Sequence, residues 1–201
     1  MKKKLKIGVT GGMGSGKTLL TDYFAKQGYP VLKSDEVAKQ IMYSDETLRK
    51  KIIRKFGVSA YDSAGLNRKY LAANVFNDDE KITAINALVH PPTTKKIDIL
   101  TKELFSKHNL VFVESALIYE AKIQNMFDYI ILVSAQREAR IKRIQKRENL
   151  TRDEIEKRMR FQMNDEDKKE RADFVIENNG SVEDLEKRGD FLLTLLKSIT
   201  H

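Results

Sequence analysis

The sequence predicts an α/β fold: a five-stranded parallel sheet covered on both faces by helices, three layers in all. Three observations lead there. Five short runs rich in β-branched residues are spread along the chain, stretches of helical periodicity separate them, and 201 residues suit one large domain better than two. A chain of this length buries roughly 70% of the surface its unfolded form exposes, so its core needs no covalent or metal support. The absence of cysteine excludes disulfides, thiol catalysis and Cys-ligated metal centres, and it fits a reducing, cytoplasmic setting.

Leu5-Lys6-Ile7-Gly8-Val9-Thr10 reads as the first strand and runs into a glycine-rich turn. From Lys17 to Gln27, the residues Leu19, Leu20, Tyr23 and Phe24 fall at helical spacing, and Gly28 is a stop signal. Pro30-Val31-Leu32 is a short second strand. Helical character runs from Asp35 to Phe56 with a break near Ser44-Asp45. Tyr61 to Asn67 gathers turn residues, with Asp62, Ser63 and Gly65 close together. Two helical pieces follow, one on each side of His90-Pro91-Pro92. Leu110-Val111-Phe112-Val113 and Tyr129-Ile130-Ile131-Leu132-Val133 are strands of the fully buried kind. Arg137 to Arg147 is a basic helix. Thr151 and Glu154 have the spacing of a capping box, opening a helical stretch that reaches Arg171. Phe174-Val175-Ile176 is the fifth strand, ended by Asn178-Asn179-Gly180, and a helix closes the chain.

Met1-Lys2-Lys3-Lys4 has the charge of a signal-peptide start, but the apolar run after it is short, holds Lys6 and breaks on Gly11-Gly12. Other apolar runs are of strand length, so a soluble protein with no membrane partner is expected. The net charge of +8 points to anionic partners: nucleotides, phosphorylated metabolites or nucleic acid. Acidic residues interleave with the basic ones through 137–147 and 151–171, so a solvated helical surface also accounts for many of these charges.

Gly11-Gly12-Met13-Gly14-Ser15-Gly16-Lys17-Thr18 fits G-x-x-x-x-G-K-[ST] at every position, and it falls between a predicted strand and a predicted helix. Glycines let successive amides turn inward around an anion. The helix that starts near Gly16 adds unpaired N–H groups and the positive end of its dipole. Lys17 supplies a cation for the β- and γ-phosphates, and the Thr18 hydroxyl is a candidate Mg²⁺ ligand. Candidate nucleotide contacts are therefore Gly12, Gly14, Ser15, Gly16, Lys17, Thr18 and the adjoining Leu19. The fold is expected to be of the P-loop NTPase type.

Such a loop specifies phosphate binding and leaves the reaction open. A guanine-reading Asn-Lys-x-Asp segment is missing, and Asp62-Ser63-Ala64-Gly65, which imitates a GTPase switch, follows no strand. A nucleic-acid motor is expected to end a hydrophobic strand in Asp, whereas Val111-Phe112-Val113 runs into Glu114. A small-molecule kinase fits better; it needs a carboxylate by the acceptor hydroxyl, a basic lid and an acceptor-binding insertion. Asp35, just past the second strand, suits a base or an orienting group for that hydroxyl, and it equally suits a cap for the helix 36–42. Arg140, Arg143 and Arg147 share one helix face and suit a triphosphate, or they pair with Glu138, Glu148 and Glu154. Two alternatives stand: a nucleoside or nucleoside-monophosphate kinase, and a basic nucleic-acid-binding ATPase, for which no recognisable motif is found.

The ordered segments resemble the dephospho-coenzyme A kinase family over nearly the whole chain. Ile7 to Thr18 is close to I-G-L-T-G-G-I-G-S-G-K-S, and Val31 to Ala38 aligns with V-I-D-A-D-x-x-A. Leu66-Asn67-Arg68, Val75-Phe76, Asn86 to Pro91 and Leu117 to Glu120 match L-x-R, V-F, N-x-I-x-H-P and L-L-F-E. Arg143 and Arg147 fit the lid arginines and Gln162 a lone glutamine, while Ala172 to Gly180 fits A-D-x-V-I-x-N-x-G. The resemblance implies one kinase domain over 1–201: a core of about 1–34, 108–135 and 172–201, a helical acceptor-binding insertion of about 35–107, and a lid of about 136–171. It implies ATP and Mg²⁺, transfer to the ribose 3′-hydroxyl of dephospho-coenzyme A, no nucleic-acid partner, and a cytoplasmic monomer or small homo-oligomer. By the same resemblance Asp35 is the base, Lys17, Arg143 and Arg147 act on the transferred charge, and Arg68, His90 and Glu120 belong to the acceptor side. Arg140, Asn178 and Gly180 lie by the nucleotide. The chain departs from the family pattern at Leu19, at Lys33 (the first Asp of D-x-D), at Glu114-Ser115-Ala116 (D-x-P) and at Arg140 (a frequent Gln).

Overall fold

The structure, a computed structural model, describes residues 3–63, 65–75 and 78–200. Ala64 of the switch-like turn and Phe76 of the V-F pair lie outside the described residues. The chain divides into two compact units, one made of residues 1–33 and 101–201, the other of residues 34–100.

Along the chain, β1 (Leu5–Thr10) leads into α1 (Lys17–Lys26) and β2 (Val31–Lys33). The smaller unit then holds α2 (Ser34–Ser44), α3 (Glu46–Phe56), the paired strands β3 (Tyr61–Asp62) and β4 (Gly65–Leu66), α4 (Arg68–Val75) and most of α5 (Asp79–Leu104). The larger unit resumes with β5 (Leu110–Glu114), β6 (Tyr129–Ser134), α6 (Arg137–Glu148), α7 (Arg152–Met159), α8 (Asp165–Lys169), β7 (Phe174–Glu177) and α9 (Val182–Ile199).

In the larger unit five strands form one parallel sheet in the order β2-β5-β1-β6-β7. Side chains alternate between its faces. Leu5, Ile7 and Val9 of β1 join Phe112, Ile131, Val133 and Ile176 on one face, packed on Leu20 and Phe24 of α1 and Leu185, Leu192 and Leu196 of α9. The Phe24 and Phe112 rings meet with centroids 4.5 Å apart. On the other face Ile130 packs with Ile118, Tyr119 and Met163. Both faces are covered, which is why β1, β5 and β6 read as apolar runs instead of alternating ones. Because all five strands run the same way, Thr10, Lys33, Glu114, Ser134 and Glu177 end at one rim, the side where open α/β sheets bind ligands.

The smaller unit buries Ile41, Leu48, Ile52, Ala60, Leu71 and Val75. Asp45 ends the break between α2 and α3 as the N-cap, its carboxylate accepting the Leu48 N–H at 2.9 Å. Tyr61 donates its hydroxyl to the Met42 carbonyl at 2.8 Å, and Tyr70 to that of Phe56 at 2.9 Å.

Three local expectations are corrected. The sequence points to two helices around His90-Pro91-Pro92, but α5 runs unbroken through both prolines. Two missing N–H donors do not break a 26-residue helix, and the hydroxyls of Thr93 and Thr94 donate to the carbonyls of Val89 and His90, each at 2.8 Å. Asp62, expected to follow no strand, lies in one: Tyr61 pairs with Leu66 and Asp62 with Gly65, two short antiparallel strands around the expected turn. The helical stretch 151–171 is two helices. After α7, the Met163 N–H donates to Glu120 and Asn164 caps α8, so tertiary bonds and a new cap replace the helical ladder there.

Candidate active site

β1 is fully buried and places Gly11 at the central tip of the sheet, with α1 starting six residues later. The turn between them depends on glycine where other groups crowd it. Gly16, the residue before α1, has φ +97°, and a Cβ there would stand 2.1 Å from Asn178 Nδ2. A Cβ on Gly12 would stand 2.1 Å from a terminal nitrogen of the Arg140 guanidinium. The loop is thus backbone with side chains pressed on its outer surface.

Those side chains take its carbonyls one after another. Arg140 Nε donates to the Met13 carbonyl at 2.9 Å, Arg143 to that of Gly14 at 3.3 Å, and Asn178 Nδ2 to that of Ser15 at 2.8 Å. In a planar trans peptide the N–H of the following residue points the opposite way. Pinning three carbonyls outward therefore turns the N–H groups of Gly14 and Gly16 inward, where an anion would be held together with the first N–H groups of α1. Ser15 instead donates its N–H to the Gly12 carbonyl at 3.1 Å, which closes the turn. Its hydroxyl is buried with no protein partner, a donor available to an anion in the cradle.

Beside the loop, the Thr18 hydroxyl donates to Glu114 Oε1 at 2.5 Å and the Thr21 hydroxyl lies 2.8 Å from Oε2. Glu114 is buried at the end of β5, so two hydroxyls supply the hydrogen bonds that a desolvated carboxylate requires. A hydroxyl touching a carboxylate is an all-oxygen donor set, which suits a hard divalent cation that completes its shell with phosphate and water. Among the described residues no group of three or more His, Cys, Asp or Glu side chains could hold an ion without such help. The residues present fit Mg²⁺ carried in with a nucleotide.

The other residues singled out from the sequence are placed as follows. Lys17 is the first residue of α1, Thr18 faces solvent, and Leu19 is exposed. Arg140 is buried, and besides Met13 it holds Asp165 at 3.0 Å. Arg143 also donates to the Asn178 carbonyl at 2.8 Å. Arg147 is solvent-exposed and pairs with its neighbour Glu148. Gly180 precedes Ser181, the cap of α9. Glu120 accepts from the fully buried Lys168 at 2.9 Å and from the Met163 N–H at 2.7 Å, an internal tie between α8 and the segment after β5. Lys33 bonds Asp22 of α1 at 2.7 Å. In the smaller unit, Asp35 is in the exposed first turn of α2, one residue inside the helix and so not its cap, and Arg68 is exposed at the start of α4. His90 is half-buried within α5, and burial lowers its pKa below the ordinary histidine value.

Sequence reasoning leaves three participants out of the site. Glu114 is noticed only as a departure, Gln162 only as a family match, and Asp165 not at all. Gln162 Oε1 accepts the Met13 N–H at 2.8 Å across 149 residues. The apolar strand ending in Glu114 is a signal that would have found the first; no local pattern marks Asp165.

A parallel sheet whose central strand ends in a glycine cradle, backed by cationic side chains and flanked by a hydroxyl–carboxylate pair, defines a phosphate-loop kinase fold. Over residues 5–184 the chain matches the dephospho-CoA kinase family, and it belongs to that family. It is 36% identical over 187 residues to a dephospho-CoA kinase of Thermus thermophilus, covering 92% of this chain and 89% of that one. It is 33% identical over 180 residues to one from Bacteroides fragilis, covering 88% and 85%. A solved Thermus thermophilus structure superposes with a TM-score of 0.79 at 36% identity, over 97% of this chain and 99% of that one. A shikimate kinase from Acinetobacter baumannii shares the fold alone, at a TM-score of 0.50 and 17% identity, over 98% of this chain and 95% of that one.

Proposed function

We propose that this chain transfers the γ-phosphoryl group of ATP to the ribose 3′-hydroxyl of dephospho-coenzyme A, releasing ADP and coenzyme A. The observation that carries the reading is the cradle at the tip of β1, with its three pinned carbonyls, in a chain of this family. The amides of Gly14 and Gly16, the N-terminus of α1 and Lys17 bind the β- and γ-phosphates. Thr18 and Glu114 would hold Mg²⁺, which would supply positive charge to offset that of the phosphates. During transfer the bond from the γ-phosphorus to the ADP oxygen breaks and one to the 3′-oxygen forms. The hydroxyl proton passes to the Asp35 carboxylate. Arg147, whose surface partner Glu148 holds it weakly, is free to turn to the transferred charge; exposed pairs contribute about 0–1 kcal/mol. Arg68 and His90 serve the acceptor. Among the described residues no helix is long and apolar enough to cross a membrane.

Purified protein incubated with ATP, Mg²⁺ and dephospho-coenzyme A is expected to yield coenzyme A by mass spectrometry. Asp35→Asn should lower turnover by about 10²-fold or more while ADP binding persists. ADP release without coenzyme A refutes the acceptor, and an Asp35→Asn enzyme of near-normal turnover removes Asp35 from the chemistry.

A further inference from the structure

Met13 is held through its N–H, its carbonyl and its side chain. Its N–H donates to Gln162, its carbonyl accepts from Arg140, and its side chain packs with Ile141, Ile144 and Ile155 of α6 and α7. Arg140 and Gln162 meet it from two separate segments, and a third group joins them. Asp165, the first residue of α8, forms an ion pair with Arg140 NH1 at 3.0 Å, with side chains only 10% and 15% exposed and, among the described residues, no hydrogen bond to either carboxylate oxygen. One guanidinium thus donates from Nε to the Met13 carbonyl and sets its NH1 charge against Asp165, two separate points on a rigid planar group.

We infer that Asp165 is a positioning residue for nucleotide binding, acting through Arg140 on the phosphate loop. The charge of the carboxylate keeps the guanidinium beside the loop, so that Nε stays on the Met13 carbonyl. The Met13 carbonyl in turn fixes the Gly14 N–H, its antiparallel partner across the peptide bond, toward the phosphates. With the acid neutralised, a buried cation loses its counter-charge, and its lowest-energy course is to swing toward other oxygens or solvent. The Met13 peptide is then free to rotate and one cradle amide loses its aim. Asp165 need not touch the nucleotide for this to weaken binding.

This inference rests on the phosphate-loop reading, and ADP titration by calorimetry separates the two. Wild-type protein that does not bind ADP overturns the phosphate-loop reading and the inference with it. Given wild-type binding, Asp165→Asn is expected to raise the ADP dissociation constant about tenfold, equivalent to 1.4 kcal/mol. The KM for ATP should rise in parallel, while the KM for dephospho-coenzyme A and kcat stay within about threefold. Asp165→Glu should recover most of the loss, and Arg140→Lys, which keeps the charge but loses the fork, should reproduce it. Unchanged ADP binding in Asp165→Asn or in Arg140→Lys overturns the inference. So does a loss shared equally by both substrates and accompanied by a lowered Tm, the mark of a merely structural pair.

Discussion

Lys168 and Glu120 allow a structural tie to be told from a substrate contact. The Lys168 side chain is fully buried; its ammonium lies 2.9 Å from Glu120 Oε1 and 3.2 Å from the Ala116 carbonyl. Lys168→Met keeps the aliphatic stem and removes the charge, leaving Glu120 with the Met163 N–H alone. Breaking a buried pair from one side costs about 3–5 kcal/mol, and Glu120, with an 18% exposed side chain, can recruit some water, so about 3 kcal/mol is expected. At about 2–4 °C per kcal/mol for a chain of this size, Tm should fall by about 6–12 °C. Glu120→Gln strands the cation instead and should cost at least as much. The double variant Lys168→Met/Glu120→Gln leaves no charge uncompensated and should stand within about 1 kcal/mol of wild type, well above either single variant. Urea unfolding of the four proteins measures this directly. If the two losses simply add, the pair is not coupled and the tie is refuted. If stability recovers in the double variant while the KM for dephospho-coenzyme A stays raised, Glu120 contacts the acceptor in addition to Lys168.

Gly16→Ala should lose about 3 kcal/mol in urea unfolding. About 1–2 of that comes from the left-handed backbone and the rest from pushing the buried Asn178 amide off the Ser15 carbonyl. A variant that unfolds and binds ADP like wild type would show that neither the conformation nor the contact matters. For His90, burial lowers the folded-state pKa, so protonation is easier in the unfolded chain. Stability is therefore full above the ordinary histidine pKa and declines as pH falls through it toward the lowered value. Tm should drop as pH falls through the ordinary histidine pKa, and His90→Gln should flatten that part of the profile. Coincident slopes for the two proteins would deny His90 the effect.

The larger unit was legible because its physics is local. A strand buried on both faces must be apolar throughout, and β1, β5 and β6 show this within five or six residues each. The capping box at Thr151 and Glu154 closes over three residues and forms as the spacing requires. Expectations failed where distant groups outweighed local preference. Pro91 and Pro92 mark a helix end by every local rule, yet a long helix with threonines bonding its carbonyls absorbs them. The stretch from Arg160 to Asn164 has helical composition, but Gln162 is drawn to Met13 and the Met163 N–H to Glu120. The phosphate loop itself was legible because glycine spacing encodes a backbone shape. Its surroundings were legible only in part: Arg140 stood out on a basic helix face, Gln162 and Asn178 only through the family resemblance, and Asp165 through nothing, because their bonds to the loop span more than a hundred residues.

That division bears on what a phosphate-loop motif determines. Glycines permit the turn but do not choose the direction of each amide, because a residue without a side chain offers no handle of its own. In this chain direction is imposed from outside, by Arg140, Arg143 and Asn178 on three successive carbonyls and by Gln162 on one N–H. Each of these donors belongs to, or borders, a segment that also has other partners: Arg140 has Asp165, Arg143 has the Asn178 carbonyl, and Asn178 gives its N–H to Ser134. A shift of α6, or of the turn after β7, would therefore reach the cradle through these bonds even if no loop residue changed. Two chains with the same eight-residue motif can in this way differ in nucleotide affinity. An Arg at position 140, with an acid at 165 beside it, is the kind of outside contact through which such a difference arises.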